Sequence, residues 1–170
     1  EMELMFFGTD RFNGDISGWD TSSVTNMAAM FFNADSFNQN ISGWDTSSVT
    51  NMKDIFFTAD SFNQNISGWD TSSVTNMWGA FREAKAFNQN IGGWDISSVT
   101  DMYSMLDNSG LSTANYDATL NGWYQQAKAG GVNTGLTLGA KGLTYSSASA
   151  VARQALINDF GWSITGDSFY

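Results

Sequence analysis

The apolar residues of this chain recur at a fixed step. Phe12, Phe37, Phe62 and Phe87 are evenly spaced, and Ile16, Ile41, Ile66 and Ile91 follow the same interval. Trp19, Trp44, Trp69 and Trp94 keep that spacing, as do Val24, Val49, Val74 and Val99. Met2, Met27, Met52, Met77 and Met102 give five copies of one position. The polar letters between them repeat too. "FNQNISGWDTSSVTNM" begins at Phe37 and at Phe62, changes to "FNQNIGGWDISSVTDM" at Phe87, and reads "FNGDISGWDTSSVTNM" at Phe12. Self-similarity at such a period marks a chain of stacked units, each covering the apolar face of its neighbour.

Each copy carries two rhythms. From Ile91 the apolar residues fall at offsets of three, five and eight, at Trp94, Ile96 and Val99. That spacing suits a short strand and turn. A strand near Gly18–Thr21 is expected to pair with Gly43–Thr46 and onward, which sets the coils about 4.8 Å apart. Met27, Met30, Phe31 and Ala34 follow at i, i+3, i+4 and i+7. These are one face of a short helix, with Thr25 or Asn26 to cap it. The pattern predicts an α/β solenoid over residues 1–109: leucine-rich-repeat-like, right-handed coils of short strand plus short helix. It holds about four repeats, the first truncated.

After Ser109 the period ends, and residues 110–170 read as a C-terminal α+β capping region. Ser112 or Thr113 can start a helix running to about Ala129, with Leu120, Trp123, Tyr124 and Ala127 on its apolar face and Gly130-Gly131 to stop it. "GLTLGAKGLTYS" reads as one or two short strands with glycine turns. Ser147 is expected to open a second helix with Val151, Ala155 and Leu156 inward, and "GWSIT" a last strand. At the other end the chain enters at Glu1-Met2, in the helical half of a repeat, with no polar cap. Upstream sequence or another module is expected to cover that open coil.

Composition narrows the function classes. Seven Lys and Arg against seventeen Asp and Glu leave a net charge of −10. That balance opposes nucleic acid, whose phosphates need cations, and anionic membranes; it suits cations, neutral glycans and proteins. No run of eighteen apolar residues is present, so no membrane insertion is expected within these residues. With no Cys, no His and no Pro, a zinc site of the usual kind and a His general base are both out of reach. No enzyme constellation emerges.

The repeated Asp after each Trp forms the one candidate cation site: Asp20, Asp45, Asp70 and Asp95, a column that could offer oxygen ligands to Ca²⁺. The structural alternative is a turn clamp, each Asp accepting from the Ser-Ser that follows. Paired carboxylates for glycoside cleavage are not supported, because identical surroundings do not split two pKa values into an acid and a base. The Trp column reads as core, and the Phe-Asn pairs as buried rings beside an asparagine ladder. Positions that differ between copies point outward. Phe7, Phe32 and Phe57 form a half-exposed column continued by Arg82, beside Trp78 and Tyr103. Such a patch suits a partner; lateral stacking of one ring on the next is the other reading. The sequons Asn40-Ile-Ser42 and Asn65-Ile-Ser67 come with the repeat.

Across roughly residues 2–109, "FNQNISGWDTSSVTNM" and the Phe that follows resemble the repeat of BspA-type leucine-rich-repeat surface proteins of bacteria. The tail "LSTANYDATLNGWYQQA" is similar to the piece that closes some of these arrays. The resemblance implies a secreted or cell-surface, extracellular protein with no known chemistry. It implies adhesion or ligand binding, with a host or neighbouring-cell protein or glycan as partner. A structural spacer or self-associating unit of a surface assembly is the alternative.

Overall fold

The structure, a computed structural model, describes residues 1–170. Residues 1–112 contain neither an α-helix nor a strand longer than a single bridge. The expected helix at Met27–Ala34 is a run of turns instead. The N–H groups of Met30, Phe32 and Ala34 donate three residues back, to Met27, Ala29 and Phe31. Those of Met27, Ala29, Phe31 and Asn33 donate sideways, to the carbonyls of Asn51, Lys53, Ile55 and Phe57 at 2.8–3.0 Å. The same fourfold ladder joins residues 2–8 to 26–32, 52–58 to 76–82 and 77–83 to 101–107.

The helix fails for a local reason. Every fourth residue of the segment adopts a left-handed backbone: Leu4 and Gly8, Ala29 and Asn33, Asp54 and Thr58, Gly79 and Glu83, Ser104 and Asn108. Each such residue breaks the i→i−4 pattern: at Ala29 and Asn33 the residue's own N–H donates to the neighbouring copy, and the next N–H donates three residues back. Asn26, Asn51, Asn76 and Asp101 begin the run, their Oδ1 accepting the N–H two residues on at 2.9–3.1 Å. This is an Asx turn, not a helix cap.

The expected strand at Gly18–Thr21 is also absent. The only parallel bridges between copies join Asn26, Asn51, Asn76 and Asp101, several residues later. At the predicted strand the chain turns, with Trp19 N–H donating to Ile16 and Val24 N–H to Thr21. Side chains make the links there. The Thr21, Thr46 and Thr71 hydroxyls donate to the carbonyls of Asp45, Asp70 and Asp95 at 2.9 Å. The Trp44, Trp69 and Trp94 indoles donate to Ile16, Ile41 and Ile66.

Phe, Ile, Trp, Val and Met of each copy fill one continuous core that runs from Ile16 to Trp162. Phe31, Phe56 and Phe81 stack 5.4–5.6 Å apart, and Trp44, Trp69 and Trp94 6.3–6.4 Å apart. An asparagine ladder runs beside them: Asn13, Asn38 and Asn63 Oδ1 accept from Asn38, Asn63 and Asn88 N–H. Asn88 passes the link to Ser112 N–H, the residue that caps the first helix.

That helix, α1, spans Thr113–Lys128, and buries Leu120, Trp123 and Ala127, with Tyr124 half-buried. Strands β1 (Thr137–Gly139) and β2 (Thr144–Tyr145) follow, then helix α2 (Ala150–Asn158), β3 (Ser163–Thr165) and β4 (Ser168–Phe169). β1 pairs in parallel with β3 and β2 with β4. Because Leu106 N–H donates to Gly139 and Asn108 N–H to Lys141, the ladder of the repeats continues into this region. It supplies two more rungs, with the helices inserted between them. The second helix begins later than expected. Asp117 of α1 accepts from the Ser146 backbone and hydroxyl and from the Ser149 hydroxyl, which holds 146–149 as a turn. The inward residues shift accordingly to Ala152 and Leu156, and Val151 is 77% exposed.

The fourth copy departs from the others where α1 lands. Ser17, Ser42 and Ser67 give way to Gly92, and a methyl there would lie 2.5 Å from the Ala118 carbonyl. Thr21, Thr46 and Thr71 give way to Ile96, fully buried, whose N–H donates to Gln126 Oε1. No further Asp carbonyl follows to receive a hydroxyl, so an apolar side chain suits the position. Ile96→Thr, which restores the letter of the other three copies, is therefore expected to lower unfolding stability by about 1–3 kcal/mol in chemical denaturation, as a buried hydroxyl loses its partner.

Candidate functional site

The turn ladder has an inner and an outer side. Met27, Met30, Phe31 and Ala34 and their equivalents in the next two copies face in and are buried. The outer side carries Lys53, Trp78 and Tyr103 in one column and Phe7, Phe32, Phe57, Arg82 and Asp107 in another, four residues further on. The structure brings all six sequence-predicted partner residues to this side. Tyr103 is 53% exposed and Phe7 49%, whereas Phe32, Phe57, Trp78 and Arg82 are half-buried.

The second column is consumed by its own packing. Phe7 stacks on Phe32 at 4.7 Å, Phe32 meets Phe57 edge-on at 4.6 Å, and the Arg82 guanidinium lies 5.1 Å from the Phe57 ring. These rings satisfy one another from copy to copy. In the first column the Lys53 ammonium sits 5.0 Å from the Trp78 ring. Such contacts are worth about 0.5–1 kcal/mol at exposed sites. Trp78 and Tyr103 keep free ring surface beside a cation.

Asp20, Asp45, Asp70 and Asp95 all point to solvent. In each, Oδ1 accepts the N–H two residues on, from Ser22, Ser47, Ser72 or Ser97, at 2.8–3.1 Å. The Ser22, Ser47 and Ser72 hydroxyls add a second bond at 2.6–2.7 Å. These serine hydroxyls, and then the backbone N–H groups, hold Asp20, Asp45 and Asp70 below the usual carboxylate range. The clamp is thus formed in all four copies. The column gathers no set of three Asp or Glu side chains able to enclose an ion.

Asp95 alone lines a cleft, of about 360 Å³, with Gly93, Ser97, Gln126, Ala129 and Gly131. Gln126 spans it, donating to the Trp94 carbonyl at 2.7 Å and accepting from Ile96 N–H at 3.2 Å. Its amide is spent on closing the fourth copy.

Sequence reasoning placed Asp54, with Lys53, among the variable positions that point outward, and the structure buries it instead. It sits at the left-handed position filled by Ala29, Gly79 and Ser104 in other copies. Its carboxylate is buried, and Oδ1 has no hydrogen-bond partner. Oδ1 occupies the space a side chain at position 79 would need, so Gly79 beneath it has none. Burial raises its pKa to about 6, against the pull of Lys53 and Arg82. The only available signal was an acid among Ala, Gly and Ser in register. A second acid column, Asp10, Asp35 and Asp60, also escaped notice; burial and its two neighbours raise Asp35 above its ordinary value.

Stacked copies that repeat one set of core contacts from rung to rung define a repeat protein. The chain belongs to the family described as "Mycoplasma protein of unknown function, DUF285", whose model matches residues 1–123, the five rungs of the array and most of α1. Comparison with curated proteins and with solved structures gives no match. No helix is long and apolar enough to cross a membrane.

Asp54 makes stability depend on pH in a defined direction. Its folded pKa lies above the ordinary carboxylate value, so the folded state binds the proton more tightly. The stability it contributes is complete below about pH 4 and is lost as pH rises through about 6. With partial screening by solvent allowed for, Asp54→Asn should exceed the parent chain by roughly 1–2 kcal/mol at pH 7 and lose that lead at pH 4, read from denaturant unfolding at both values.

Proposed function

We propose that this chain is a non-enzymatic binding module, a short solenoid from a secreted or cell-surface bacterial protein of the BspA leucine-rich-repeat type. Its partner is a protein or glycan on a host or neighbouring cell. The observation that carries the reading is the division of labour across the ladder. Inward positions stay apolar from copy to copy, while the outward one changes in chemistry from Lys53 to Trp78 to Tyr103 on adjacent rungs. A rigid wall with one variable face presents different chemistry at about 5 Å intervals, the arrangement repeat arrays use for extended binding surfaces. Trp78 and Tyr103 with Lys53 offer flat aromatic area and a cation, which suit a sugar ring or a peptide aromatic. The extracellular setting follows from the repeat resemblance. The acidic balance is compatible with it.

The structural-spacer alternative has its own support in the Phe7–Phe32–Phe57 column, whose rings serve the wall rather than a ligand. The two readings separate in a glycan-array and host-protein binding screen with the whole chain. For any ligand found, Trp78→Ala and Tyr103→Ala together should weaken binding at least about tenfold, a loss of about 1.4 kcal/mol, at a temperature where the variant is still fully folded. Binding that survives both changes removes this face from the reading. An empty screen favours the spacer.

A further inference from the structure

The outer side of the ladder carries two cations that have no acid partner. Among the seven Lys and Arg of a chain with net charge −10, Arg153 pairs with Asp167 and Lys85 with Glu83. Lys53 and Arg82, on adjacent rungs, form no ion pair. Each rests on a ring instead, Lys53 on Trp78 at 5.0 Å and Arg82 on Phe57 at 5.1 Å. Arg82 is half-buried, and its guanidinium engages only that ring. A planar fork of donors in that state is best matched by a carboxylate. Glu83, the acid beside it in the chain, is spent on Lys85 and Asn108.

Between the two cation–ring pairs lie Asp54 and Gly79. Gly79 has no side chain, and Asp54 is buried against it with Oδ1 unpartnered. Lys53 and Arg82 both pull on Asp54, so the two positive charges bear on one spot. The main chain there is closed. Every N–H and C=O of residues 53–57 and 78–82 has a partner, in a neighbouring copy, three residues along the chain, or in the Asn51 and Asn76 side chains. An extended peptide would find no backbone group to pair with. The face offers ring surface at Trp78 and two cations beside it, and a sugar ring that bears a carboxylate uses both.

We propose, as a narrowing that rests on the binding module described above, that this patch holds an acidic saccharide of the uronic-acid class. Its ring lies on Trp78 and its carboxylate is held by Lys53 and Arg82. Asp54 is then a competitor for the same two cations, built into the wall beneath them. Deprotonated, it repels the carboxylate of the ligand; protonated, it does not. Affinity therefore falls as pH rises through about 6, while the ligand, whose carboxyl ionises at about pH 4, keeps its charge throughout.

The test is calorimetric titration of the whole chain, at one ionic strength, with trigalacturonic acid, with galactotriose as its neutral counterpart, and with tetraglutamate. The acidic sugar should bind at least about tenfold more tightly than either of the others. Lys53→Gln and Arg82→Gln should each weaken it at least about fivefold, whereas Lys128→Gln, a cation resting on Tyr124 in the closing region, should leave it unchanged. Binding to the parent chain should be at least about threefold tighter at pH 5 than at pH 8, and Asp54→Asn should keep the tighter value at both. Equal affinity for galactotriose overturns the proposal and leaves the wider binding module standing, because Trp78 then holds a neutral ring. A preference for tetraglutamate gives the patch to acidic peptides and overturns it too. So does trigalacturonic acid that fails to bind, or that binds Lys53→Gln and Arg82→Gln as well as it binds the parent.

Discussion

Every buried backbone N–H and C=O in the array must find a partner, and the chain meets that demand by dividing its donors. Alternate N–H groups of each rung go sideways to the neighbouring copy, and those between go three residues back along the chain. A helix would satisfy all its groups internally and leave neighbours joined by side chains alone. An ordinary strand would send them all sideways but run straight. The mixed scheme turns the chain and joins the copies at once, at the cost of a left-handed residue every fourth position. Outside glycine and asparagine such residues cost about 1–2 kcal/mol each. The ladder bonds and the apolar filling must over-determine them, and the aromatic stacks at 5.4–6.4 Å supply part of that filling.

This constraint explains what could be read from the letters and what could not. The constant repeat step, the buried Phe, Ile, Trp, Val and Met, the Asp clamp and the asparagine ladder were legible because each has one side-chain cause. The helix over Met27–Ala34 was misread because i, i+3, i+4, i+7 also lines the inside of a chain that turns every four residues. Local letters could have argued against it. Gly8, Asn33 and Asn108 share one register position, and Gly79 occupies the other, all residues that tolerate a positive φ. But Ala29, Thr58 and Glu83 hold the same backbone without any such signature, so the repeat average hid the signal. Asp54 was illegible for a related reason. Its burial depends on Gly79 in the next copy, and no local pattern reports a side chain missing that far along the chain.

The ends of the array are written in departures from the repeat. Gly92 removes a side chain where α1 crosses, and Ile96 removes a hydroxyl that would have nothing to bond. Asn115 then gives Asn88 the amide bonds that Gln64 and Gln89 give Asn38 and Asn63, and Gln126 bonds the Trp94 carbonyl and the Ile96 N–H. The closing region therefore imitates a coil with side chains from a helix, and resumes the true ladder at β1. Nothing comparable faces Trp19, whose copy keeps the ordinary letters at Ser17 and Thr21.

The same logic bears on chemistry. Translation by one repeat gives Asp20, Asp45 and Asp70 the same serine partners and pushes their pKa values in the same direction. A proton relay needs two groups pushed apart, and repetition works against that. Asp54 does stand apart, but its neighbours are a glycine and two cations on the ladder face rather than a nucleophile or a cleft. Difference in chemistry between copies that reaches the surface of the ladder lies in its outer columns, where it supplies aromatic area and the two cations Lys53 and Arg82. The wall that presents them is held by the stacked rings and the ladder bonds behind them.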